Sequence, residues 1–409
     1  RRSYVFNLCK NRYHFAVAFT AALARRQINL LPASEAPQVL RDIARRYPDV
    51  YCLTDQRECP SDLEVYRYPQ DSDSFGEPPS PPAFAGDQVA AIVFTSGSTG
   101  EPSANVKTWA QLMAETNMAM RRFWGARDCP ASVVGTVVPQ HMYGLETTFL
   151  LPLRSGFGFH AGRPLFPEDI RAALEAVRAP RILVTTPLHI RACVAERTRL
   201  PDVVFILSAT APLSPGLARQ AETMFQTEVL EIYGCSETGS IATRRTVEGN
   251  LWRSYDEMSL FRQGERCFVC GPSVSEPVEL NDVIQLRNSH EFSLHGRLAD
   301  LINIAGKRSS LADLNHKLNE IEGVQDGVFF MPDEVPDRMS RLIAFVVAPG
   351  LSKDDVVRAL RERIDAVFLP RPLYMVDALP RTQNGKLPRA RLTEFAATLA
   401  AGRKEAESV

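Results

Sequence analysis

The stretch Phe94-Thr95-Ser96-Gly97-Ser98-Thr99-Gly100-Glu101-Pro102 follows directly on an apolar run, residues 90–94, that has the length of a buried strand. Its two glycines permit a tight bend, and its hydroxyl and backbone N–H groups can donate hydrogen bonds. A loop of this kind after a strand can hold the oxygens of a phosphate group. It is not a Walker A loop, because no Gly-Lys-Ser/Thr ends it. The alternative is a Ser/Gly linker, although linkers rarely follow a buried strand so closely.

Apolar runs of strand length alternate with amphipathic helical segments along most of the chain. The predicted strands are residues 90–94, 131–138, 181–185, 203–208 and 228–232, and the predicted helices are residues 109–124, 167–177 and 215–225. This alternation is typical of mostly parallel sheets covered by helices. After a break near residues 295–299, the pattern predicts a small α+β domain, with helices at residues 311–321 and 353–368 and strands at residues 327–330 and 342–347. We therefore expect a large N-terminal α/β domain, residues 1–297, and a small C-terminal domain, residues 298–409.

The balance of charge argues against a nucleic-acid or anionic-membrane partner, since 47 Lys and Arg stand against 48 Asp and Glu. No apolar run approaches the roughly 18 residues that a membrane span needs. The eight cysteines are too sparse for a disulfide scaffold. Cys267 and Cys270 have the spacing of a metal-binding pair, but on a strand positions three apart face opposite sides. The two thiols could therefore not easily bind the same metal ion. We expect a cytoplasmic protein with buried thiols, and, because the chain begins at Arg1 on hydrophobic sequence, missing N-terminal residues.

A second motif, Tyr233-Gly234-Cys235-Ser236-Glu237-Thr238-Gly239, follows another predicted strand. Its carboxylate suits a hard cation such as Mg²⁺, which prefers oxygen ligands, although a turn with a solvated glutamate is the alternative. Together the two motifs resemble the adenylate-forming superfamily of acyl-CoA synthetases, nonribosomal peptide adenylation domains and luciferases. The family's phosphate loop carries a lysine where Ser103 stands, and Lys107 is a candidate to replace that charge.

The resemblance implies an ATP site. Tyr233 would stack on adenine, Ser236 would contact the α-phosphate and Glu237 would hold Mg²⁺. Asp282 would accept the ribose hydroxyls, and Arg297 would contact the ribose or a phosphate. The other implied ATP contacts belong to the phosphate loop, to a small-residue segment against which adenine lies, and to the second motif: Thr95, Ser96, Gly97, Ser98, Thr99, Gly100, Ser208, Ala209, Thr210 and Gly234.

Two further motifs lie in the C-terminal part. Residues 296–308 resemble the family's hinge, with Ala299 in place of the usual Asp or Lys, and residues 379–386 resemble the motif that ends in the catalytic lysine, here Lys386. A mobile cation between a carboxylate and an α-phosphate offsets their repulsion. The resemblance implies that the C-terminal domain is a mobile lid. Its rotation would bring a loop to the attacking thiol when the thioester forms. This loop contains Gly306, Lys307 and Arg308.

The acyl substrate is expected near residues 138–145, which resemble the family's acyl-pocket segment. The residues that would line the pocket are His141, Tyr143, Gly144, Thr186 and Cys235. A lone histidine is more often structural, so for His141 both roles stay open. The chain also resembles acyl-CoA synthetases associated with aryl-polyene and xanthomonadin-type pigments. That likeness implies an aromatic, hydroxybenzoate-like acid.

The resemblance implies an ATP-dependent acid–thiol ligase. A carboxylate would attack ATP with Mg²⁺ to give an acyl-adenylate and pyrophosphate. A thiol of coenzyme A or of a carrier-protein phosphopantetheine would then displace AMP. Two alternatives stay open: a catalytically impaired nucleotide-binding pseudoenzyme, favoured by Ser103 and Ala299, and an acyl-AMP synthetase without the thiol step. Lys386 and Glu237 argue against the pseudoenzyme, because a degenerate enzyme has little reason to keep both.

Overall fold

The computed structural model describes residues 2–59, 63–68, 82–96, 102–125, 129–297, 301–304, 307–332, 341–382 and 387–406. Four predicted site positions, Gly97, Ser98, Thr99 and Gly100, lie outside these residues, as do Gly306 and Lys386. The described residues form a large N-terminal α/β part and a small C-terminal part. This architecture confirms the predicted fold class.

The first sheet contains the strands β1 Tyr4–Asn7, β2 Ile28–Leu31, β3 Val50–Thr54, β4 Val65–Arg67, β5 Val89–Ser96 and β6 Pro102–Thr108. In the described residues its order is β4-β3-β1-β2-β5-β6, with neighbours parallel except for the antiparallel pair β5–β6. Two helices accompany its first strands, α1 Arg12–Ala24 and α2 Pro37–Arg46. The Asn11 side chain caps α1 by accepting hydrogen bonds from two backbone N–H groups of its first turn.

The second half of the large part adds further helices and strands. The helices are α3 Trp109–Phe123, α4 Met142–Leu145, α5 Leu151–Ser155, α6 Pro167–Glu175, α7 Pro187–Ala195 and α8 Pro215–Phe225. A π-helical segment, Glu146–Leu150, joins α4 to α5. The strands are β7 Ser132–Gly135, β8 Gly158–Phe159, β9 Arg181–Thr185, β10 Phe205–Ser208, β11 Glu228–Cys235, β12 Gly239–Arg245, β13 Leu251–Ser254, β14 Ser259–Gln263, β15 Arg266–Cys270, β16 Val278–Leu280, β17 Asp282–Leu286 and β18 Glu291–Arg297.

The second sheet has the order β17-β18-β13-β12-β11-β10-β9-β7-β8 in the described residues. Strands β8, β7, β9, β10 and β11 run parallel to one another. Antiparallel pairings then join β11 to β12, β12 to β13, β13 to β18 and β18 to β17. The three remaining strands, β14, β15 and β16, form a separate antiparallel sheet.

Helix α3 lies between the two large sheets. Leu112 near its start packs in one apolar cluster with β5 and α1, whereas Met118, Ala119 and Phe123 pack in another with strands of the second sheet. The segment from α4 to α5 belongs to the same layer, since Leu145 and Phe149 share the cluster of Leu112. Residues of this layer can therefore reach both sheets.

The C-terminal part contains the hairpin β19 Leu301–Ile304 and β20 Lys307–Ser310, the helix α9 Leu311–Asn319, the strands β21 Asp326–Phe330, β22 Ile343–Val347 and β23 Leu373–Met375, and the helices α10 Lys353–Arg361 and α11 Arg389–Ala406, with α10 preceding β23. It has its own apolar clusters, one around Leu314, Leu318 and Leu360. No helix among the described residues combines the length and apolar character needed to cross a bilayer.

Candidate active site

The parallel strands of the second sheet end together at one edge. Because β7, β9, β10 and β11 are parallel neighbours, the residues at their carboxyl ends lie along one edge of the sheet, where the ligand crevice of this fold class is expected. These residues include Thr136, Thr185, Ser208 and Ser236. In open α/β sheets, ligands bind outside the carboxyl ends of the strands. Several of the predicted site residues therefore meet at the place where this fold class holds its ligands.

The second motif forms a tight turn between the antiparallel strands β11 and β12. A side chain at Gly234 would place its Cβ 2.1 Å from the Gly239 carbonyl oxygen, so this approach requires glycine. Gly239 has a φ of +71°, which also favours glycine. At the tip of the turn Ser236 is half-buried and Glu237 is exposed. The Glu237 carboxylate is therefore accessible to a ligand in solution.

Tyr233 and Asp282 lie together on the strands beside this turn. The Tyr233 hydroxyl donates a 2.6 Å hydrogen bond to Asp282 Oδ2. Burial, followed by the negative charge of Asp282, raises the pKa of Tyr233, so the phenol stays protonated and remains a donor. Asp282 pairs with Arg297 in the register of β17 and β18. The structure thus brings together three positions that the resemblance connects with adenine and ribose.

The small-residue segment follows β10. Ser208 is fully buried, and its Oγ makes no hydrogen bond with any residue that the structure describes. Two residues later Thr210 is exposed and has a φ of +78°, an uncommon conformation for a β-branched residue. Ala209 between them is half-buried. Backbone strain of this kind clusters at functional sites, and it lies here at the rim of the crevice.

The predicted acyl-pocket segment forms α4 and its N-terminal cap. His141 is the N-cap residue. The Tyr143 hydroxyl lies 3.1 Å from the Thr185 carbonyl oxygen and 3.0 Å from that of Leu207, so it connects α4 to the ends of β9 and β10. A Cβ at Gly144 would lie 2.0 Å from the Val138 carbonyl oxygen, so only glycine fits there.

Thr186 is the N-cap residue of α7 at the same edge. Its hydroxyl lies 2.9 Å from His189 Nδ1, which is also 3.3 Å from the Thr136 hydroxyl. Burial lowers the pKa of His189 to about 4, so the imidazole is neutral at pH 7. Cys235 is half-buried on β11 with its Sγ 3.2 Å from the Thr238 hydroxyl, and burial raises the pKa of its thiol to about 11. Both groups are therefore uncharged at pH 7.

The phosphate-loop motif joins β5 to β6. Thr95 and Ser96 end β5 and pair with Ser103 and Pro102 of β6. Strand β6 also reaches the second motif, because Lys107 Nζ donates a 2.9 Å hydrogen bond to the Glu237 carbonyl oxygen. Thus the strand that follows the phosphate loop contacts the turn that carries Glu237, although the two belong to different sheets.

The same contact corrects the suggested role of Lys107. Its side chain is only 1% exposed, and its ammonium group also donates a 3.0 Å hydrogen bond to Glu115 Oε1. An ammonium group held in this way is already paired inside the protein. Lys107 therefore does not supply a free positive charge in place of the lysine that Ser103 replaces.

The remaining predicted residues lie in the C-terminal part or at its start. Arg297 ends β18, and Lys307 and Arg308 begin β20, where they pair with Ile304 and Asn303 of β19. Five residues before Lys386, Arg381 forms a two-point ion pair with Asp326, with both N–O distances at 2.7 Å. This pair fixes the start of the Lys386 motif to β21.

Sequence reasoning missed two buried glutamates beside the second motif. Glu115 lies on α3 and Glu146 in the π-helical segment, and they are 0% and 4% exposed. Burial raises the pKa of both carboxyl groups. Glu115 lies in the helix predicted at residues 109–124, but its burial could have been noticed only if the buried face of that helix had been known, and no helix was predicted around Glu146.

The donor set at the turn fits Mg²⁺. Among the described residues, no group of three or more His, Cys, Asp and Glu side chains forms a protein-only metal site. Mg²⁺ commonly takes one or two protein carboxylates and completes its shell with substrate phosphates and water. The exposed Glu237 carboxylate at the crevice suits that arrangement.

A family model described as "AMP-binding enzyme" matches residues 1–278. The chain belongs to this family. A second model, "AMP-binding enzyme C-terminal domain", matches residues 317–386. The assignment confirms the predicted superfamily, and the chain is an AMP-forming ligase of the acyl-CoA ligase type.

Individual relatives agree with this assignment. A 4-coumarate–CoA ligase of Rhodobacter capsulatus is 28% identical over 74% of this chain and 76% of its own length. A D-alanine–D-alanyl carrier protein ligase of Bacillus cereus is 23% identical over 78% of this chain and 73% of its own length. The structure of a benzoate CoA ligase from Burkholderia xenovorans superimposes with a TM-score of 0.77 at 16% identity, covering 96% of this chain and 89% of that one. This last likeness concerns the fold, and the comparisons do not support the pseudoenzyme alternative.

Proposed function

We propose that this ligase activates an aromatic, hydroxybenzoate-like acid as its acyl-adenylate and passes the acyl group to the thiol of coenzyme A. The observation that carries the proposal is the arrangement at the sheet edge formed by the carboxyl ends of β7, β9, β10 and β11. There an exposed carboxylate, Glu237, lies on the turn that follows β11, the strand whose Tyr233 is bonded to Asp282.

In the first half-reaction, a substrate carboxylate oxygen attacks the α-phosphorus of ATP, and the bond to pyrophosphate breaks. Tyr233 would stack on adenine, Asp282 would accept the ribose hydroxyls, and Ser236 would donate to the α-phosphate. Arg297 and the phosphate loop, Thr95 to Gly100, would contact the phosphates or ribose. Mg²⁺ bound at Glu237 would neutralise charge on the phosphate oxygens. Lys386 would reduce the repulsion between the two reacting anions.

In the second half-reaction, the thiol sulfur attacks the acyl carbonyl carbon, the bond to AMP breaks, and the thiol releases its proton. We propose that the part of the chain from residue 298 onward moves as a lid between the two steps, so that Gly306, Lys307 and Arg308 serve the thiol step. The division at residues 297 and 298 belongs to this proposal, as does a cytoplasmic location.

Two arguments support an aromatic acid. The half-buried Tyr143 ring lies beside the ends of β9 and β10 and offers an aromatic surface there. An aromatic acid packs favourably on such a surface. The 4-coumarate–CoA ligase relative acts on an acid of this class according to its name. His141, Gly144 and Cys235 would complete the pocket wall.

Pyrophosphate exchange into ATP tests the first half-reaction and the acid together. The panel would contain hydroxybenzoates, cinnamates and fatty acids of short and medium length. We expect exchange to be at least tenfold faster with hydroxylated aromatic acids than with fatty acids. Equal or faster exchange with fatty acids would contradict the proposed substrate class.

The acceptor is tested by supplying coenzyme A and a phosphopantetheinylated carrier protein in parallel. We expect thioester formation with coenzyme A. If only the carrier protein forms a thioester, the carrier protein replaces coenzyme A as the proposed acceptor. The similarity to a carrier protein ligase is the reason for including it. Release of acyl-adenylate with neither thiol consumed would favour the acyl-AMP synthetase.

The variant Lys386→Ala tests the catalytic lysine. We expect it to lose pyrophosphate exchange by 100-fold or more while nucleotide affinity changes less than threefold. Lys353→Ala, at the first residue of α10, is the matched control and should keep full exchange. Exchange by Lys386→Ala at the wild-type rate would exclude that lysine from adenylation.

A further inference from the structure

Three ionisable side chains, Lys107, Glu115 and Glu146, are buried together between the two large sheets; we call them the buried charge cluster. Each comes from a different element: β6, α3 and the π-helical segment. Burying charged groups is costly, and apolar side chains of similar size are often at least as stable in such places. Stability alone therefore does not explain why these three side chains are buried here.

Lys107 connects the cluster to the second motif. Its ammonium group donates to Glu115 Oε1 at 3.0 Å and to the Glu237 carbonyl oxygen at 2.9 Å. The carbonyl that it holds belongs to the residue whose side chain is proposed to bind Mg²⁺. A charged donor makes a stronger hydrogen bond than a neutral one, so this contact restrains the turn.

Glu115 contacts the same turn at its other end. A Cβ built at Gly239 would lie 2.4 Å from the carboxyl carbon of Glu115, so the carboxyl group packs directly on the Gly239 backbone. Its Oε1 accepts from Lys107, and its carboxyl group is also hydrogen-bonded to that of Glu146. Glu115 thus fills the space that the glycine leaves.

Glu146 holds the residue that follows. Its carboxylate accepts hydrogen bonds from the Ser240 backbone N–H, at 3.0 and 3.2 Å, and from the Ser240 hydroxyl, at 3.0 Å. The Tyr255 hydroxyl donates to Ser240 Oγ at 3.1 Å and closes this network. The backbone of residues 237, 239 and 240 is therefore contacted by one member of the cluster each.

We propose that Lys107, Glu115 and Glu146 are positioning residues that fix the turn of residues 236–240, so that the Ser236 hydroxyl and the Glu237 carboxylate face the phosphates and Mg²⁺. The inference rests on the proposed role of this turn. The cluster acts on the nucleotide through the backbone of the turn and touches neither substrate.

The double variant Lys107→Met with Glu115→Gln separates positioning from stability. Replacing both members of a buried pair by neutral groups of similar shape can be nearly neutral for folding, whereas removing one member leaves a buried charge unpaired. We expect the melting temperature of the double variant to be close to that of the wild type. We expect its KM for MgATP to rise about tenfold, with kcat reduced less, because the Glu237 carbonyl oxygen has lost its donor.

Glu146 offers a conservative rescue. Glu146→Gln keeps a side-chain oxygen that can accept from the Ser240 N–H, whereas Glu146→Leu has no acceptor. We expect KM for MgATP within about twofold of the wild type for Glu146→Gln and about tenfold higher for Glu146→Leu. If only the negative charge of Glu146 mattered, both variants would raise KM for MgATP equally. That result would contradict the role given to the hydrogen bonds with Ser240.

A partly exposed lysine–aspartate ion pair provides the matched control. Lys317 forms a 2.8 Å ion pair with Asp313 on α9, and both side chains are partly exposed. The double variant Lys317→Met with Asp313→Asn removes the same types of group. We expect its melting temperature and its KM for MgATP to equal those of the wild type.

Calorimetric binding of a non-hydrolysable ATP analogue, with and without Mg²⁺, completes the test without relying on turnover. We expect Mg²⁺ to strengthen binding to the wild type, and we expect most of that gain to be lost in the cluster double variant. Wild-type KM and an undiminished Mg²⁺ effect in the double variant would overturn the positioning role. If the wild type instead binds MgATP in the expected way but shows no exchange with any acid, the proposed function fails while the positioning role stands.

Discussion

Two buried cations, Arg12 and Lys107, hold the layers of this molecule together in different ways. Arg12 on α1 is 2% exposed and is bonded to four backbone carbonyl oxygens and one hydroxyl, at Gly135, Val137, Thr148, His160 and Gly162. Its five N–H donors therefore all have acceptors, and no carboxylate is among them.

Lys107 is bonded to a carboxylate and to one carbonyl oxygen of a functional turn. Its carboxyl partner, Glu115, is in turn hydrogen-bonded to Glu146. Arg12, which has only neutral acceptors, lies among strand ends and helices that form the scaffold, whereas Lys107, which has a carboxyl partner, lies beside the turn proposed to bind Mg²⁺. The difference suggests that Arg12 contributes to stability and Lys107 to placement.

Arg12→Lys is expected to have the largest effect on stability. A lysine ammonium has three donors for the five acceptors, so at least two buried acceptors would lose their partners, at about 1–3 kcal/mol each. We expect chemical denaturation to give a free energy of unfolding lower by about 3 kcal/mol. KM for MgATP of the folded variant should be unchanged. A loss below about 1 kcal/mol, or a raised KM, would remove the contrast with Lys107.

The variant Glu115→Gln tests the protonation of the cluster. Burial, together with the charge of Glu146, raises the pKa of Glu115 well above its ordinary value of about 4.5. Above pH 4.5 the folded state therefore holds a proton that the unfolded state has lost, and the stability of the wild type falls as pH rises through this window. We expect a smaller fall between pH 5 and pH 8 for Glu115→Gln. Denaturation curves at several pH values measure it, and equal slopes would contradict the raised pKa.

Arg12 provides the contrast in the same experiment. Burial and the nearby charge of Arg163 lower the pKa of Arg12 only to about 10, so Arg12 keeps its charge from pH 5 to pH 8. We therefore expect Arg12 itself to add no slope to the wild-type curve of stability against pH in this range, in contrast to Glu115.

His189 should show the opposite sign. Because its pKa falls from 6.5 to about 4 on burial, the unfolded state binds a proton between these values that the folded state does not. This group therefore lowers stability progressively as pH falls from 6.5 to 4. We expect His189→Asn to be less sensitive to pH in that range. If the wild type and His189→Asn lose the same stability between pH 6.5 and pH 4, His189 is protonated in the folded state.

The smallest effect is expected for an exposed guanidinium. Arg171 on α6 pairs with Glu168 and Glu175 on the same helix surface, where salt and water screen the ion pairs. We expect Arg171→Ala to change neither the denaturation midpoint nor KM for MgATP measurably. A clear drop in the denaturation midpoint would contradict the argument that buried cations stabilise the protein more than exposed ones.

The sequence was sufficient where local signals agree. The helix predicted at residues 215–225 is confirmed with those bounds, because Ser214 caps its start, Pro215 occupies the first turn and Gln226 leaves the helix in a left-handed conformation. The strand predicted at residues 228–232 continues to Cys235. Its extension depends on the close approach of Gly234 to Gly239, a contact between two strands that a local pattern does not contain.

Predictions were less accurate where structure depends on distant partners. The helix predicted over residues 353–368 is wrong in its second half: α10 ends at Arg361, and a 3₁₀ turn capped by Asp365 follows. Likewise, Lys107, Glu115 and Glu146 come from separate elements, so no sequence spacing brings them together. The motifs predicted the crevice residues, whereas the support behind the turn required the three-dimensional arrangement.

The most direct measurement of the central claim is mass spectrometry of the enzyme mixed with ATP, Mg²⁺ and 4-hydroxybenzoate in the absence of any thiol. The account predicts a hydroxybenzoyl-adenylate, formed together with pyrophosphate in stoichiometric amounts with the enzyme, and at least 100-fold less of it with Glu237→Gln. Formation of ADP and inorganic phosphate, or no consumption of ATP with any acid of the panel, would contradict it.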